Sequence, residues 1–192
     1  MDRQKYKQQL LDQLYAPYQN CMMCPLGNLG RTRVVFGEGD PDAKLLFIGE
    51  GPGADEDAQG KPFVGRSGKL LTKVLADLGI DRRTIFITNI VKCRPPENRK
   101  PLPLESKTCK ELLLIKQIKI IRPHVICALG ATAVEALLDQ PVFITKIRGK
   151  QFSYEGSILI PTYHPAFVLR QPDGYKDFAA DIAQAIELTK KS

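Results

Sequence analysis

An apolar run, Lys44-Leu45-Leu46-Phe47-Ile48, opens directly into GEGPGADEDAQGKPFVGRSG at 49–68. The run is short, continuous and bounded by turn residues, which predicts a strand buried on both faces. The stretch after it ends at Ser67-Gly68-Lys69-Leu70-Leu71, which reads as a helix start with Ser67 as its cap. Gly49, Gly51, Gly53, Gly60 and Gly65 let main-chain amides approach a ligand closely, while Pro52 and Pro62 stiffen the connection. Glu50, Asp55, Glu56 and Asp57 crowd into it. So long a connection between strand and helix is uncommon unless it does something. Its place past the carboxyl end of a buried strand is where open α/β sheets bind ligands.

The rest of the chain repeats that alternation. Helices are predicted over 4–18, 68–78, 103–121, 131–138 and 175–190, and strands over 32–36, 44–48, 84–91, 124–129, 151–154 and 157–162. The stretch 92–103, KCRPPENRKPLP, is loop by its prolines, and Lys92, Arg94, Arg99 and Lys100 make it basic. HPAFVLRQPDG, from His164 onward, reads as a connection to the last helix. Short apolar strands between helices imply crossover connections and a largely parallel sheet covered on both faces. The 192 residues suffice for a single domain spanning 1–192 with a real core. No internal repeat or low-complexity tract interrupts it.

The carboxyl ends of these strands carry chemistry. The first runs into Glu50, the second carries Asn89, and the last runs into His164. A carboxylate, an amide and an imidazole meeting at one sheet edge suit a small polar heterocycle. Each also has a plain structural reading: a solvated acid, a turn cap, a packed loop histidine. His124, beside Pro123 at a strand start, is assigned to packing.

No apolar run is long enough for a membrane span, and the polar start MDRQKYKQQ is no signal peptide, so the expected location is cytoplasmic. In that setting cysteines point to metal ligation before disulfides. Of the five, Cys127 sits inside an apolar strand and reads as core. Cys21 and Cys24 form a C-x2-C pair, and Cys93 and Cys109 follow with fifteen residues between them. Four thiols make one four-sulfur site, and on spacing alone zinc and an iron–sulfur cluster both fit it. The net charge of +7 suits a polyanionic partner.

Taken together, four motifs resemble one family. GEGPGADEDAQGKPFVGRSG at 49–68, TNIVKCRPPENRKP at 88–101, YHPAFVLR at 163–170 and the cysteine set, in this order, are similar to the iron–sulfur (family 4, thermostable-type) uracil-DNA glycosylases. The resemblance covers nearly the whole chain. It implies a three-layer α/β/α fold with a central four-stranded parallel sheet, and a [4Fe–4S] cluster held by Cys21, Cys24, Cys93 and Cys109. It also implies base flipping and hydrolysis of the bond between deoxyribose and uracil, leaving an abasic site.

By the same resemblance His164 stabilises charge on uracil O2, and Asn89 accepts from N3–H and donates to O4. Phe63 stacks on the base, Glu50 positions water or favours the cationic sugar, and amides of Gly49–Gly51 add donors. The wider superfamily carries an aromatic residue just after Pro52 to exclude thymine; here Gly53 stands there, and Glu56 is the candidate instead. Phe167, Val168 and Leu169 resemble the wedge that fills the duplex gap. Arg170 and the basic residues of the 92–100 loop, Arg94, Arg99 and Lys100 among them, are expected on phosphates. The loop after Asn89 lacks a histidine, so the covalent trapping of one related group is not implied. The expected partner is uracil-containing DNA, single- or double-stranded, met by a monomer; no sliding-clamp or repair partner is readable. A glycosylase of broader deaminated-base range and a non-catalytic iron–sulfur DNA-binding module are the alternatives.

Overall fold

A computed structural model describes residues 2–191. Helix α1, Arg3–Tyr15, is capped by Asp2, whose carboxylate accepts from the Gln4 amide at 3.3 Å. Its apolar stripe is packing: Leu11 is buried, and Leu14 and Tyr15 lie against the core. The strand expected over 32–36 does not form. Val34 and Phe36 turn into the core beneath the sheet; side chains take the carbonyls of Val34 and Phe36, while the Val35 amide donates to the Lys92 carbonyl. Thr88 Oγ1 and Gln117 Nε2 donate to the Phe36 carbonyl at 2.8 and 2.9 Å. Only a two-residue strand, β1, Glu38–Gly39, follows.

Strand β2, Leu45–Gly49, is buried along its whole length, as the continuous apolar run requires. The connection after it is not all loop: α2, Ala54–Gln59, forms inside it, and α3, Arg66–Asp77, leaves it. The cap of α3 is Gly65, two residues before the expected Ser67. Strand β3 is Phe86–Asn89. The expected 103–121 helix consists of α4, Pro103–Cys109, and α5, Ile115–Ile121, joined by a π-helical stretch at Lys110–Leu114. Strand β4, Val125–Leu129, and α6, Ala131–Leu138, come next, then the single turn α7, Ile144–Ile147. The chain ends with β5, Phe152–Tyr154; β6, Ser157–Thr162; α8, Pro165–Arg170; and α9, Tyr175–Thr189. The segment after His164, read from sequence as a connection, thus contains a helix.

The sheet order is β1-β3-β2-β4-β6-β5. β3, β2, β4 and β6 are parallel to their neighbours, the four-stranded centre that the motifs implied, and β1 and β5 add antiparallel edges. Alternate side chains of β2 separate two cores. Leu46 and Ile48 join α1, α5 and α6 on one face, while Leu45 and Phe47 join α3 and α9 on the other. That is a three-layer α/β/α architecture. The helix after β2 covers one face and the helix after β4 covers the other, so neighbouring strands send their chains apart. A crevice opens outside their carboxyl ends.

Candidate active site

That crevice is a pocket of about 640 Å³ lined by Glu50, Gly51, Glu56, Phe63, Asn89 and His164, among others. Residues far apart in sequence meet there because the parallel strands end on one side. Asn89 closes β3 in register with Gly49 at the end of β2. It is 1 % exposed, and its Oδ1 is buried with no hydrogen-bond partner. A buried, unpaired acceptor costs about 1–3 kcal/mol, so its presence in a pocket points to a ligand donor.

Gly49 explains how the reader fits. A Cβ there would lie 2.4 Å from Asn89 Oδ1 and 2.5 Å from Phe63 Cζ. Only a glycine lets the amide and the ring close over the strand end.

Phe63 sits at φ 52, a region costly for a bulky residue. Three features hold it there. Gly68 leaves space where a Cβ would fall within 1.8 Å of the Phe63 carbonyl oxygen. Arg82 donates to the carbonyls of Pro62 and Phe63 at 2.6 and 2.8 Å. Glu56 accepts from the amides of Gly53, Val64 and Gly65 at 3.1, 2.9 and 2.8 Å. The Glu56 carboxylate is therefore the internal brace of the connection, and Asp57 is another. Asp57 is buried and accepts from the Thr32 and Arg33 amides, so two of the four acids are structural rather than solvated, while Asp55 is exposed.

His164 caps α8, and its Nδ1 accepts from the Ala166 amide at 3.1 Å. Burial, aided by the charge of Arg170, pushes its pKa down to about 4. The ring is thus neutral at neutral pH, with Nδ1 occupied as an acceptor and the proton on Nε2. The ring lies 5.9 Å from Phe63, centroid to centroid. Gly130, at φ +91, makes room for it: a Cβ there would come within 2.9 Å of His164 Cβ.

The expected DNA contacts divide. Arg170 and Arg99 line the pocket, joined by Arg66, Ser67 and Asn98, none of which was expected at a DNA contact. Arg99 is also tied to the buried Glu105 through two contacts of 2.8 Å, and Lys100 pairs with Glu135 at 2.7 Å. Arg94 holds Asn98 Oδ1. Of the expected wedge, Val168 is buried in the core because α8 turns its side inward. Phe167 packs on Tyr163 at 4.8 Å, and Leu169 alone stands out, 38 % exposed. Lys92 corrects a second expectation: it is fully buried and cannot reach a phosphate.

Cys127 is core, as expected. Cys21, Cys24 and Cys109 lie within the electrostatic reach of Cys93, which burial pushes up to about 12. Gly27 lets the loop after Cys24 fold against Cys21, since a Cβ would meet the Cys21 carbonyl at 2.7 Å. Arg31 donates to that carbonyl at 2.8 Å. Among the described residues, no three Cys, His, Asp or Glu side chains are grouped to hold a single metal ion. The four thiols form a soft-donor set whose charges reach one another.

The model of the uracil-DNA glycosylase superfamily matches residues 36–187. The chain belongs to that superfamily, in its type-4 group. The type-4 uracil-DNA glycosylase of Thermotoga maritima is 48 % identical over 166 residues, 85 % of each chain. That of Archaeoglobus fulgidus is 38 % identical over 189 residues, 94 % of each. A type-5 uracil-DNA glycosylase of Thermus thermophilus is 34 % identical over 121 residues, covering 56 % of this chain and 55 % of that one. The matched superfamily region contains Gly49, Phe63, Asn89 and His164 and excludes Cys21 and Cys24.

Proposed function

We propose that the chain excises uracil from DNA by extruding deoxyuridine into the pocket and hydrolysing its N-glycosidic bond. The observation that carries this reading is the orphaned Oδ1 of Asn89, buried in the same pocket as a neutral imidazole with its free proton on Nε2. Uracil N3–H would satisfy that oxygen, and O4 would accept from Nδ2. Cytosine presents the reverse pattern and would leave both groups unpaired.

His164 Nε2–H would donate to uracil O2, where negative charge develops as the base departs. Such a donor acts by preorganisation and is worth roughly 10²–10³ in rate. Phe63, held in its strained conformation, supplies the stacking face. Glu50 stands at the end of β2 to orient the attacking water or favour the cationic sugar, and the Gly49–Gly51 amides add donors near O2. Glu56 would act through the wall it braces, and that wall would exclude the C5 methyl of thymine. Arg170, Arg99, Arg66 and Arg94 would hold phosphates, and Leu169 would enter the gap in the stack.

Cys21, Cys24, Cys93 and Cys109 are assigned to a [4Fe–4S] cluster; four thiols within electrostatic reach of one another support a shared soft-donor centre, and the likeness to type-4 relatives favours the cluster over zinc. The hydrolysis transfers no electrons, so the cluster acts as a staple between the N-terminal segment and the 93–109 region. A cytoplasmic setting, where thiols stay reduced, goes with it. So do a single domain, whose two cores share one sheet, and a monomer.

The test is cleavage of oligonucleotides carrying U, T, hypoxanthine or C, followed by alkali. Strand breaks at U and none at T or C are expected. Equal breaks at U and C would remove the base-reading role of Asn89, and no breaks at any base would overturn the enzyme.

A further inference from the structure

Helix α9 buries Phe178, Asp181, Ile182, Ala185 and Ile186 along one stripe, so an acid occupies a position whose neighbours are apolar. Asp181 is 3 % exposed. A buried carboxylate needs a counter-charge and donors to offset its lost hydration, and the fold brings both from elsewhere. Arg148, the residue after α7, grips it with two prongs, Nε to Oδ2 at 2.9 Å and Nη2 to Oδ1 at 2.6 Å. Gly149, at φ +71, permits the close approach, since a Cβ there would lie 2.7 Å from Asp181 Oδ1. The third donor is the hydroxyl of the fully buried Thr162, 2.7 Å from Oδ2.

Thr162 is the last residue of β6, and only Tyr163 separates it from His164. Arg148 reaches Tyr163 as well: its guanidinium stands over the ring, 5.6 Å from the centroid. That ring in turn packs on Phe167 of α8. Main-chain bonds close the arrangement, from the Gly149 amide to the Pro161 carbonyl at 2.8 Å and from the Gly130 amide to the Thr162 carbonyl at 2.9 Å. Arg148, Asp181 and Thr162 line no wall of the pocket. A buried ion pair contributes little stability over well-packed apolar groups of the same size, but its hydrogen bonds are directional. Here they fix the strand end from which the imidazole projects.

We propose that Arg148, Asp181 and Thr162 form a clamp of positioning residues that sets the place of His164 in the pocket. The inference rests on the reading of His164 as the donor to uracil O2. It adds to that reaction a residue of α9 and one of the connection between α7 and β5. A donor displaced by about 1 Å can lose a hundredfold in rate. DNA binding is held by phosphate contacts made elsewhere, so the clamp acts on rate and leaves binding alone.

The experiment uses Thr162→Val and Thr162→Ser, each in the parent protein and beside His164→Ala. Valine keeps the shape of threonine, removes the hydroxyl and leaves Asp181 paired with Arg148; serine keeps the hydroxyl. Single-turnover release of uracil from an oligonucleotide is measured at rising enzyme concentration, beside the melting temperature. Thr162→Val should lose roughly ten- to hundredfold in maximal rate with an unchanged half-saturating concentration, and Thr162→Ser should recover most of the loss. In His164→Ala, Thr162→Val should cost nothing further, because the clamp acts through the missing ring. An unchanged rate in Thr162→Val, equal losses with valine and serine, or a full second loss on top of His164→Ala refutes the clamp. The last of these is what a merely structural role would give.

Should Thr162→Val fail to fold, Arg148→Lys tests the same clamp, since lysine keeps the charge and cannot grip both carboxylate oxygens. Its loss in rate should again vanish beside His164→Ala, and an unchanged rate or a loss that persists there overturns the proposal. Parent protein that releases no uracil, or His164→Ala that works at the parent rate, would overturn the functional reading and the clamp with it. A normal parent, a slow His164→Ala and an indifferent Thr162→Val overturn the clamp alone.

Discussion

Acidification offers a sharp test of His164, because the structure assigns it a proton inventory. Its pKa lies near 4, against an ordinary value of 6.5, because burial disfavours the charged ring. At pH 5.5 an ordinary histidine is about 90 % protonated, while this one would be only about 3 % protonated. Protonation would also place a hydrogen on Nδ1, where the Ala166 amide now donates. If neutral His164 is the donor to uracil O2, single-turnover excision loses almost nothing to this group between pH 8 and 5.

The same group has a stability consequence of defined sign. Its folded pKa is depressed, so its contribution is complete above pH 6.5 and is lost as the pH falls from 6.5 to about 4. A gap of about 2.5 pH units sets an upper bound of roughly 3 kcal/mol, which partial exposure of the ring to the pocket reduces. The assay is rapid-quench cleavage of a uracil oligonucleotide from pH 4.5 to 8, beside denaturant melts and DNA binding at each pH. His164→Ala is the control, expected to bind DNA normally and lose roughly 10²–10³ in rate at every pH. A limb in the rate near pH 6.5 that disappears in His164→Ala would refute the reasoning, since the ring would then titrate as if exposed.

Three further outcomes are expected. Cys93→Ala should lower iron content while Cys127→Ala leaves it intact, and equal iron in the two, read by absorbance near 400 nm and by direct iron assay, would overturn the ligand set. Asn89→Asp should lose uracil excision and gain some on cytosine, because a protonated carboxyl can present the complementary pattern; unchanged uracil release would rule out Asn89 as reader. Gly68→Ala must displace the Phe63 carbonyl, so melting should fall by an amount equivalent to roughly 1–3 kcal/mol and excision should drop about tenfold or more. A normal rate in the folded variant would show that the backbone conformation of Phe63 is not used.

The periodicity of the chain determined the architecture. Continuous apolar runs such as 44–48 can only be strands buried on two faces, so the layers and the parallel centre were legible without coordinates. Glu50, Asn89 and His164 were legible as a set for the same reason, since parallel strands deliver their carboxyl ends to one edge. What sequence could not show is which polar groups fold inward. Glu56 and Asp57 look like solvent-facing acids until the amides of 53, 64–65 and 32–33 are seen converging on them. Val168 looks like its neighbours Phe167 and Leu169 until α8 assigns them different sides. The run 32–36 has the composition of a strand, yet Thr88 and Gln117 take its hydrogen bond. Lys92 is the plainest case. In the string KCRPPENRK it is one cation among several, and only the tertiary structure separates it from the rest by enclosing it completely. A local pattern fixes where a backbone goes, whereas the partner of a buried charge is set by residues that the fold brings from elsewhere.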